Sequence, residues 1–349
     1  MTSSLSDKKK VYNKNDNDFI FYLKTKEGHT IKSWIELLKG YYKTGCFVIT
    51  KDRITLDIMD DKKTNMINSV LLLENMVYKY KSKESEIRVG LNFEEMYKCL
   101  KSIKKKETLI LEVLNKTPYV LKISGIKSED QGKKNKKLQS EIVQYRKNVT
   151  IPNTNYRNSM LGTAKEFQQM IKELKNCKNI NVEVKNGRII FSNKTGDIKS
   201  EEYCFGDIDD ERERSDEYKR SDDEGSDRDD DKGTDHRSDD RVKNYTQSLN
   251  NLQLVPLNKI TGLSTNIKIF CGKNERDNLP FKFVMNIGTL GEITIYCKSQ
   301  EQIEEERGED EKGDDRDERS DREKMENEID HEGTDRGNGG DDDGLVLDL

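Results

Sequence analysis

Apolar residues recur at helical spacing in two stretches of the chain, and alternating apolar positions follow each stretch. Residues 28–40 and 164–177 carry the helical pattern, and residues 47–58 and 180–191 alternate like strand pairs. The apolar positions of the two helices are Ile31, Trp34, Ile35 and Leu38 in the first and Phe167, Met170, Ile171 and Leu174 in the second. The Asn-Gly pair at 186–187 is typical of a tight hairpin turn. The pattern predicts a helix followed by a hairpin once in each half of the chain.

A second helical pattern lies later in each half, again ahead of alternating strands. In the first half, residues 93–103 precede predicted strands at 109–113 and 120–123. In the second half, a weaker helical segment at 254–260 precedes three predicted strands, at residues 267–271, 281–287 and 293–297. The chain is therefore predicted to be α+β, with two copies of one unit.

Charge is distributed unevenly, because two tracts are acidic and the rest of the chain is basic. Residues 206–242 hold 17 Asp and Glu against 8 Lys and Arg, and residues 300–349 hold 22 against 7. The other 262 residues carry a net charge of +19, although the whole chain carries −5. A basic folded part favours a polyanionic partner. The tracts have almost no apolar residue to bury, so we expect a disordered insert and a disordered tail.

Side chains that could support catalysis or bind a metal are few. The six cysteines form no CxxC pair and follow no apolar leader, which indicates a reduced intracellular compartment and no membrane segment. Outside the acidic tracts His29 is the one histidine. We therefore expect no cofactor, no metal site and no enzymatic activity.

Lysines repeat on the predicted helices at a spacing of seven residues, which is nearly two helical turns. The pairs are Lys32 with Lys39, Lys98 with Lys105, and Lys165 with Lys172. A single row of this kind is typical of a solvated helix face, but recurrence in three helices favours contact with phosphates. Lysines without interleaved aromatic rings suit the backbone of a duplex better than base readout or single-strand stacking.

Six segments of the folded part share, in order, the sequence pattern of one known family. They are residues 28–40 (GHTIKSWIELLKG), 54–60 (ITLDIMD), 89–100 (VGLNFEEMYKCL), 165–174 (KEFQQMIKEL), 187–192 (GRIIFS) and 291–306 (GEITIYCKSQEQIEEE). Together they resemble the proliferating cell nuclear antigen (PCNA) family of DNA sliding clamps. The resemblance implies a homotrimeric ring of two-domain subunits, with antiparallel sheets outside and helices inside, around double-stranded DNA.

The resemblance also implies a function and a division of the chain. The function is that of a processivity factor, which a clamp loader places on DNA and which tethers DNA polymerase and other replication and repair proteins carrying clamp-binding peptides. Its location would be the nucleus or, for a viral protein, the site of viral DNA replication. The implied segments are a basic extension at 1–17, a first clamp domain at 18–125, a connecting loop at 126–155, a second clamp domain at 156–299 with the insert 206–242, and the tail 300–349.

Three sets of site residues follow from the same resemblance. The DNA-facing positions are Lys32, Lys39, Lys98, Lys101, Lys172 and Lys259. The walls of a pocket for partner peptides are Met59, Val149, Thr150, Ile151, Pro280 and Tyr296. The subunit contacts fall on two strand edges, Thr117–Gly125 with Tyr119 and Thr195–Cys204 with Ile198, which closure of the ring would pair.

The sequence departs from the family pattern at two of these sites. Ser33 and Gln169 stand where the family often has a basic residue, so we expect a different charge on the inner surface. Residues 297–299 depart from an apolar, proline-ended stretch of the family, which suggests an altered peptide preference.

Two alternatives stay open at this level. A subunit of a heteromeric checkpoint-type clamp would share the fold but assemble with different partners. An enzyme acting on nucleic acid could hold Mg²⁺ with Asp57, Asp60 and Asp61. An Asp-rich turn at a strand end is the commoner explanation of these three residues, and no second carboxylate cluster is evident in the core.

Overall fold

The computed structural model describes residues 18–126, 134–139, 156–185, 187–193, 201–206, 245–272 and 279–308. The strands of the first half are β1 Phe19–Thr25, β2 Thr44–Ile49, β3 Arg53–Met59, β4 Asn65–Leu72, β5 Val77–Tyr80, β6 Ile87–Asn92, β7 Thr108–Leu114, β8 Thr117–Ile126 and β9 Lys134–Gln139. Those of the second half are β10 Met160–Thr163, β11 Asn179–Lys185, β12 Arg188–Ser192, β13 Glu202–Phe205, β14 Tyr245–Asn250, β15 Asn266–Phe270, β16 Phe281–Asn286 and β17 Gly291–Cys297.

In the described part of the chain, four helical segments connect these strands, two in each half. They are α1 Gly28–Tyr41, α2 Phe93–Leu100, α3 Ala164–Glu173 and α4 Asn251–Leu254, the last continuing as a 3₁₀ helix over Val255–Gly262. Residues 300–308 are also helical. The side chains of Asn92 and Thr163 cap α2 and α3 by accepting bonds from the third residue of each helix, both at 3.2 Å. Asn250 and Gln253 form a capping box at α4.

The two halves repeat one order of elements. The run β1–α1–β2–β3–β4 corresponds to β10–α3–β11–β12–β13, and β6–α2–β7–β8–β9 corresponds to β14–α4–β15–β16–β17. The hairpins also match in turn length. Ile49 pairs with Ile54 and Val184 pairs with Ile189, and the same number of residues lies between the partners in each pair. The predicted helices and hairpins are confirmed, and Gly187 takes the positive φ of +75° that its turn requires.

The sheets that the described residues form are antiparallel, and one of them joins the two halves. Its strand order is β10-β15-β16-β17-β4-β3-β2-β6, and β17 pairs with β4 from Gly291 opposite Leu71 to Cys297 opposite Asn65. The other sheets have the orders β5-β1-β7-β8-β9 and β13-β12-β11-β14. Each half therefore builds part of the shared sheet and one sheet of its own.

The helices form a row in the order α2, α1, the α4 segment, α3. Aromatic packing holds the helices on the sheets. Trp34 stacks on Phe47 with ring centroids 5.0 Å apart, and the ring centroid of Phe167 lies 5.8 Å from those of Phe191 and Phe283. The halves meet tightly at the middle of the row. A Cβ added to Gly40 would lie 2.8 Å from Pro256 Cβ, so only glycine allows this approach.

Two of the predicted segments need correction. Residues 134–139 of the expected connecting loop form β9, which pairs with β8 as a regular strand of the first half. The expected disordered tail begins with helical residues 300–308. The N-terminal extension, the rest of the connecting loop up to 155, the insert beyond Gly206 and the tail beyond 308 lie outside the described residues. None of the described helices is long and apolar enough to cross a membrane.

Candidate functional site

The row of helices carries all but one of the lysines expected to face DNA. Lys32 is half-buried, and its Nζ lies 3.4 Å from the carbonyl oxygen of Ile103. Lys172 is exposed and donates to Gln168 Oε1 at 3.1 Å. Lys101 is exposed at the C-terminal end of α2, one residue beyond the helix. These three reach solvent from separate helices.

Three other lysines of the row are paired with glutamates that the sequence analysis did not single out. Lys39 Nζ lies 3.1 Å from Glu94 Oε2, and it also lies 4.4 Å from the centre of the Tyr97 ring. Lys98 pairs with Glu95 at 2.8 Å and Lys259 with Glu36 at 3.2 Å. The hydrogen bond to Glu95 raises the pKa of Lys98. Of the three pairs, Lys98 with Glu95 has the spacing of neighbours on one helix, whereas the others form between helices.

These glutamates make the helix row almost neutral. The four helical segments hold six lysines and five glutamates, all within described residues. The positive surplus lies instead in the segment after α2, with Lys101, Lys104, Lys105 and Lys106. His29 adds no charge near neutral pH, because burial and then the nearby Lys32 and Lys105 lower its pKa. The surface suits weak, non-specific phosphate contact.

The opposite face of the shared sheet carries a row of large side chains. Residues directly opposite one another on paired strands share a face. Pairing across β3, β4, β17, β16 and β15 aligns, in order, Met59, Met66, Tyr296, Lys282 and Phe270. Met66 and Tyr296 are buried and the other three are half-buried. Burial raises the pKa of Tyr296.

Lysine and aromatic rings close one end of this row. Lys282 Nζ lies 4.9 Å from the centre of the Phe270 ring and 5.6 Å from that of Tyr156. Pro280 precedes β16 by one residue and is half-buried. The sequence alone did not single out Met66, Lys282 or Phe270, since each becomes a neighbour of Tyr296 only through strand pairing.

As far as the structure describes them, β9 lies at one end of the first half's own sheet and β13 at one end of the second half's own sheet. The Nζ atom of Lys136 on β9 donates to the carbonyl oxygens of Lys98 and Cys99, both at 3.1 Å. The lysine therefore caps the C-terminal end of α2, where it favours the helix dipole. On β13, Cys204 is exposed and Phe205 is buried.

This order of sheets and helices agrees with two comparisons. Residues 20–144 match the sequence profile of the PCNA N-terminal domain. The first half of the chain is therefore similar to a PCNA N-terminal domain. The crystal structure of proliferating cellular nuclear antigen from Entamoeba histolytica has a similar fold, with a TM-score of 0.62 and 16% sequence identity over 81% of this chain and 99% of that chain. A comparison with curated proteins finds no significant match.

The PCNA-type fold places some of the predicted partner-pocket residues together. Met59 and Tyr296 share one face of the shared sheet with Met66 between them, and Pro280 begins the neighbouring β16. Val149, Thr150 and Ile151 lie outside the described residues. The pocket role of all six residues stays a prediction.

One predicted subunit edge is wrong. The segment Thr117–Gly125 belongs to β8, which pairs with β7 on one side and with β9 on the other, so it lies inside its sheet. Tyr119 is 57% exposed and precedes the stretch of β8 that pairs with β9, and its role as a subunit contact stays a prediction. At this end of the sheet the edge strand is β9. The second predicted edge is retained only in β13, and Ile198 lies outside the described residues.

The aspartates of the alternative metal site have structural partners. Asp60 accepts hydrogen bonds from Thr64 Oγ1 at 2.7 Å and from the Asn65 backbone at 2.6 Å, which closes the turn between β3 and β4. Asp57 accepts a hydrogen bond from Asn68 on the adjacent strand. In the described part of the chain no group of three or more His, Cys, Asp or Glu side chains could hold a metal ion.

Proposed function

We propose that this chain is the subunit of a homotrimeric sliding clamp that encircles duplex DNA and tethers a DNA polymerase. The observation that carries the proposal is the sheet joint between β17 and β4. By the repeat, β9 corresponds to β17 and β13 corresponds to β4. The chain thus holds one complete joint and the two separate halves of a second, which a neighbouring copy would complete head to tail.

The helix row supports the same arrangement. Its order within one copy is α2, α1, the α4 segment, α3, with α1 and the α4 segment meeting across the join of the halves. A copy attached through β9 and β13 would bring α3 of one copy beside α2 of the next. The helices would then line a continuous inner wall.

We propose that the inner wall contacts DNA loosely. The DNA-facing set is Lys32, Lys39, Lys98, Lys101, Lys172 and Lys259, of which three have carboxylate partners. A paired lysine releases fewer counterions when it meets a phosphate, so both affinity and salt dependence are reduced. A wall with few unneutralised charges lets the ring move along DNA while topology retains it.

A threading experiment tests the ring. An immobilised linear duplex with one free end is incubated with the full-length protein, the free end is then blocked with a bulky protein, and the complex is washed at high salt. We expect retention only when the end is blocked, followed by release when a restriction enzyme cuts the duplex. Equal retention without the block would contradict encirclement, because it would mean direct adhesion.

The acidic partners on the inner wall provide a matched variant. Replacing Glu36, Glu94 and Glu95 with Gln removes three negative charges next to proposed DNA-facing lysines. We expect tighter equilibrium binding to duplex DNA and a steeper dependence on salt. The control replaces Glu84, Glu86 and Glu292, which lie on strands and loops outside the helix row, and it should change binding little. Glu84 and Glu292 are exposed and Glu86 is half-buried.

We further propose that partner proteins dock on the row that contains Met59, Met66 and Tyr296. Apolar side chains at a partly buried site suit an aromatic-tipped peptide. Replacing Tyr296 with Ala should weaken binding of a fluorescent peptide with two aromatic anchors about tenfold or more, and it should lower processive synthesis. Thr294→Ala, two residues earlier on the same face, is the control. Unchanged peptide binding in the Tyr296 variant would place the pocket elsewhere.

The heteromeric alternative is separated from this proposal by the mass of the purified protein in solution. A complex of three copies supports the homotrimer, whereas a monomer at all concentrations would favour a subunit that needs different partners.

A further inference from the structure

The two strands that would join neighbouring copies carry charged residues where the joint inside the chain is apolar. We infer that Lys136 on β9 of one copy pairs with Glu201, just before β13, of the next, so that an ion pair closes the ring. The inference rests on the proposed ring and names the residues that hold it together.

Pairing within the first half locates Lys136 relative to the core. Leu111 on β7 lies opposite Ile123 on β8, which lies opposite Lys136 on β9. In the second half the same three strands align Ile269, Phe283 and Ile295. The first two positions are buried apolar residues in both halves. Lys136 therefore occupies the position of Ile295, on the face that packs against the helices.

Pairing within the first hairpins locates Glu201 in the same way. Ile49 lies opposite Ile54, which lies opposite Leu71 on β4. In the second half, Val184 lies opposite Ile189, which lies opposite Phe205 on β13. Four residues before Leu71 is Ile67, and four residues before Phe205 is Glu201. Glu201 thus stands at the position of Ile67, again on the helix side of its strand.

The joint inside the chain then gives the register between copies. Ile295 lies directly opposite Ile67, and both are fully buried. The same register places Lys136 directly opposite Glu201. Opposite charges at directly opposed positions stabilise an antiparallel pair, and like charges destabilise it.

The surroundings of both residues suit such a pair. Lys136 is half-buried and held by the two carbonyl oxygens at the end of α2, so its ammonium is already directed to the helix side. Glu201 is exposed in the single chain. Burial raises the pKa of the Cys177 thiol, and the negative charge of Glu201 raises it further. An ionic joint is screened by salt, so ring opening should be salt-dependent.

Charge reversal of the full-length chain tests the pair, with assembly measured by sedimentation against concentration and NaCl. We expect Lys136→Glu and Glu201→Lys each to weaken assembly about tenfold or more per joint, because like charges then face each other. The double variant should recover to within about threefold of the unmodified chain. Lys137→Glu is the control, since the next residue on β9 faces the other side, opposite Lys122.

Each outcome decides between the two proposals. Reversals that leave assembly unchanged, or a double variant that recovers nothing, overturn the ion pair while the ring stands. A chain that stays monomeric in its unmodified form overturns both. If Lys136→Glu fails to fold because the end of α2 loses its cap, Glu201→Lys alone leaves that cap intact and carries the test. Its assembly should then recover when Lys136 is replaced by Met.

Discussion

The joint between β17 and β4 and the edge strands β9 and β13 occupy equivalent places in the repeat but carry different residues. β17 and β4 meet through side chains such as Ile295 and Ile67, which no water reaches. The equivalent positions at the ends carry Lys136 and Glu201. An apolar joint of this kind forms during folding of one chain and stays closed. A charged edge stays soluble before a partner arrives, because charged residues on an edge strand oppose unspecific pairing.

A repeat of this kind can combine a permanent joint with one that opens. The helix row follows the same division, since Gly40 and Pro256 fit closely where the halves of one chain meet. The chain can therefore be rigid within a copy and separable between copies, as loading of the proposed ring onto DNA would require.

The largest effect should come from making the inner joint resemble the outer one. Ile295→Lys places an ammonium at a fully buried position opposite Ile67. We expect a loss of about 4 kcal/mol or more in the free energy of unfolding, from the lost side chain and the unpaired charge. Urea denaturation measures it. Ile295→Val should cost only about 1 kcal/mol, and a similar small cost for the lysine variant would mean that the joint is wet.

A smaller effect is expected where the helices of the two halves meet. Gly40→Ala puts a methyl group 2.8 Å from Pro256 Cβ, and proline cannot rotate away. We expect a net destabilisation of about 1 kcal/mol, because overpacking outweighs the better helix propensity of alanine. Thermal unfolding provides the measurement. Gly308→Ala is the control, since nothing lies within 4 Å of a Cβ added at that position. Stabilisation of both variants would show that the halves are not tightly packed.

The reverse exchange makes the outer joint resemble the inner one. Replacing Lys136 and Glu201 together with Ile should leave the assembly as tight as before, since apolar pairs replace buried ion pairs at little cost. Its dissociation constant should no longer depend on NaCl, whereas that of the unmodified chain should rise about tenfold from low to high salt. A salt dependence that persists in the double variant would mean that other charges close the ring.

The smallest perturbation uses the cysteines as reporters. Cys204 is exposed on β13, whereas Cys271 and Cys297 are fully buried, and burial raises the pKa of Cys271 to about 11 and that of Cys297 further. Iodoacetamide near neutral pH should therefore alkylate Cys204 first. Mass spectrometry should find Cys204 protected at concentrations where the ring forms. Equal labelling of Cys204 in the Glu201→Lys variant and in the assembled chain would show that β13 stays open.

The sequence predicted well those features that depend on neighbouring residues. The period of apolar positions located α1 and α3 within a few residues, and the Asn-Gly pair located the turn at Gly187. The spacing of lysines placed them on the helix row. It did not place Glu36 and Glu94 beside Lys259 and Lys39, because these pairs join separate helices.

The subunit edge shows most clearly where sequence reasoning failed. The segment Thr117–Gly125 has the alternation of a strand, but alternation alone does not tell whether another strand follows in the sheet. The next strand, β9, is rich in lysine and lacks the apolar pattern of a strand, so its sequence predicts a loop.

By itself, the amino-acid sequence determined the repeated α+β unit, the helices and their hairpins, because these follow from contacts between residues close in the chain. Tertiary contacts fix which strands meet across the shared sheet, which strands end the separate sheet of each half, and which lysines find carboxylates. Those outcomes depend on pairing between residues far apart in the chain, such as Ile67 with Ile295, and a local pattern carries no information about such pairing.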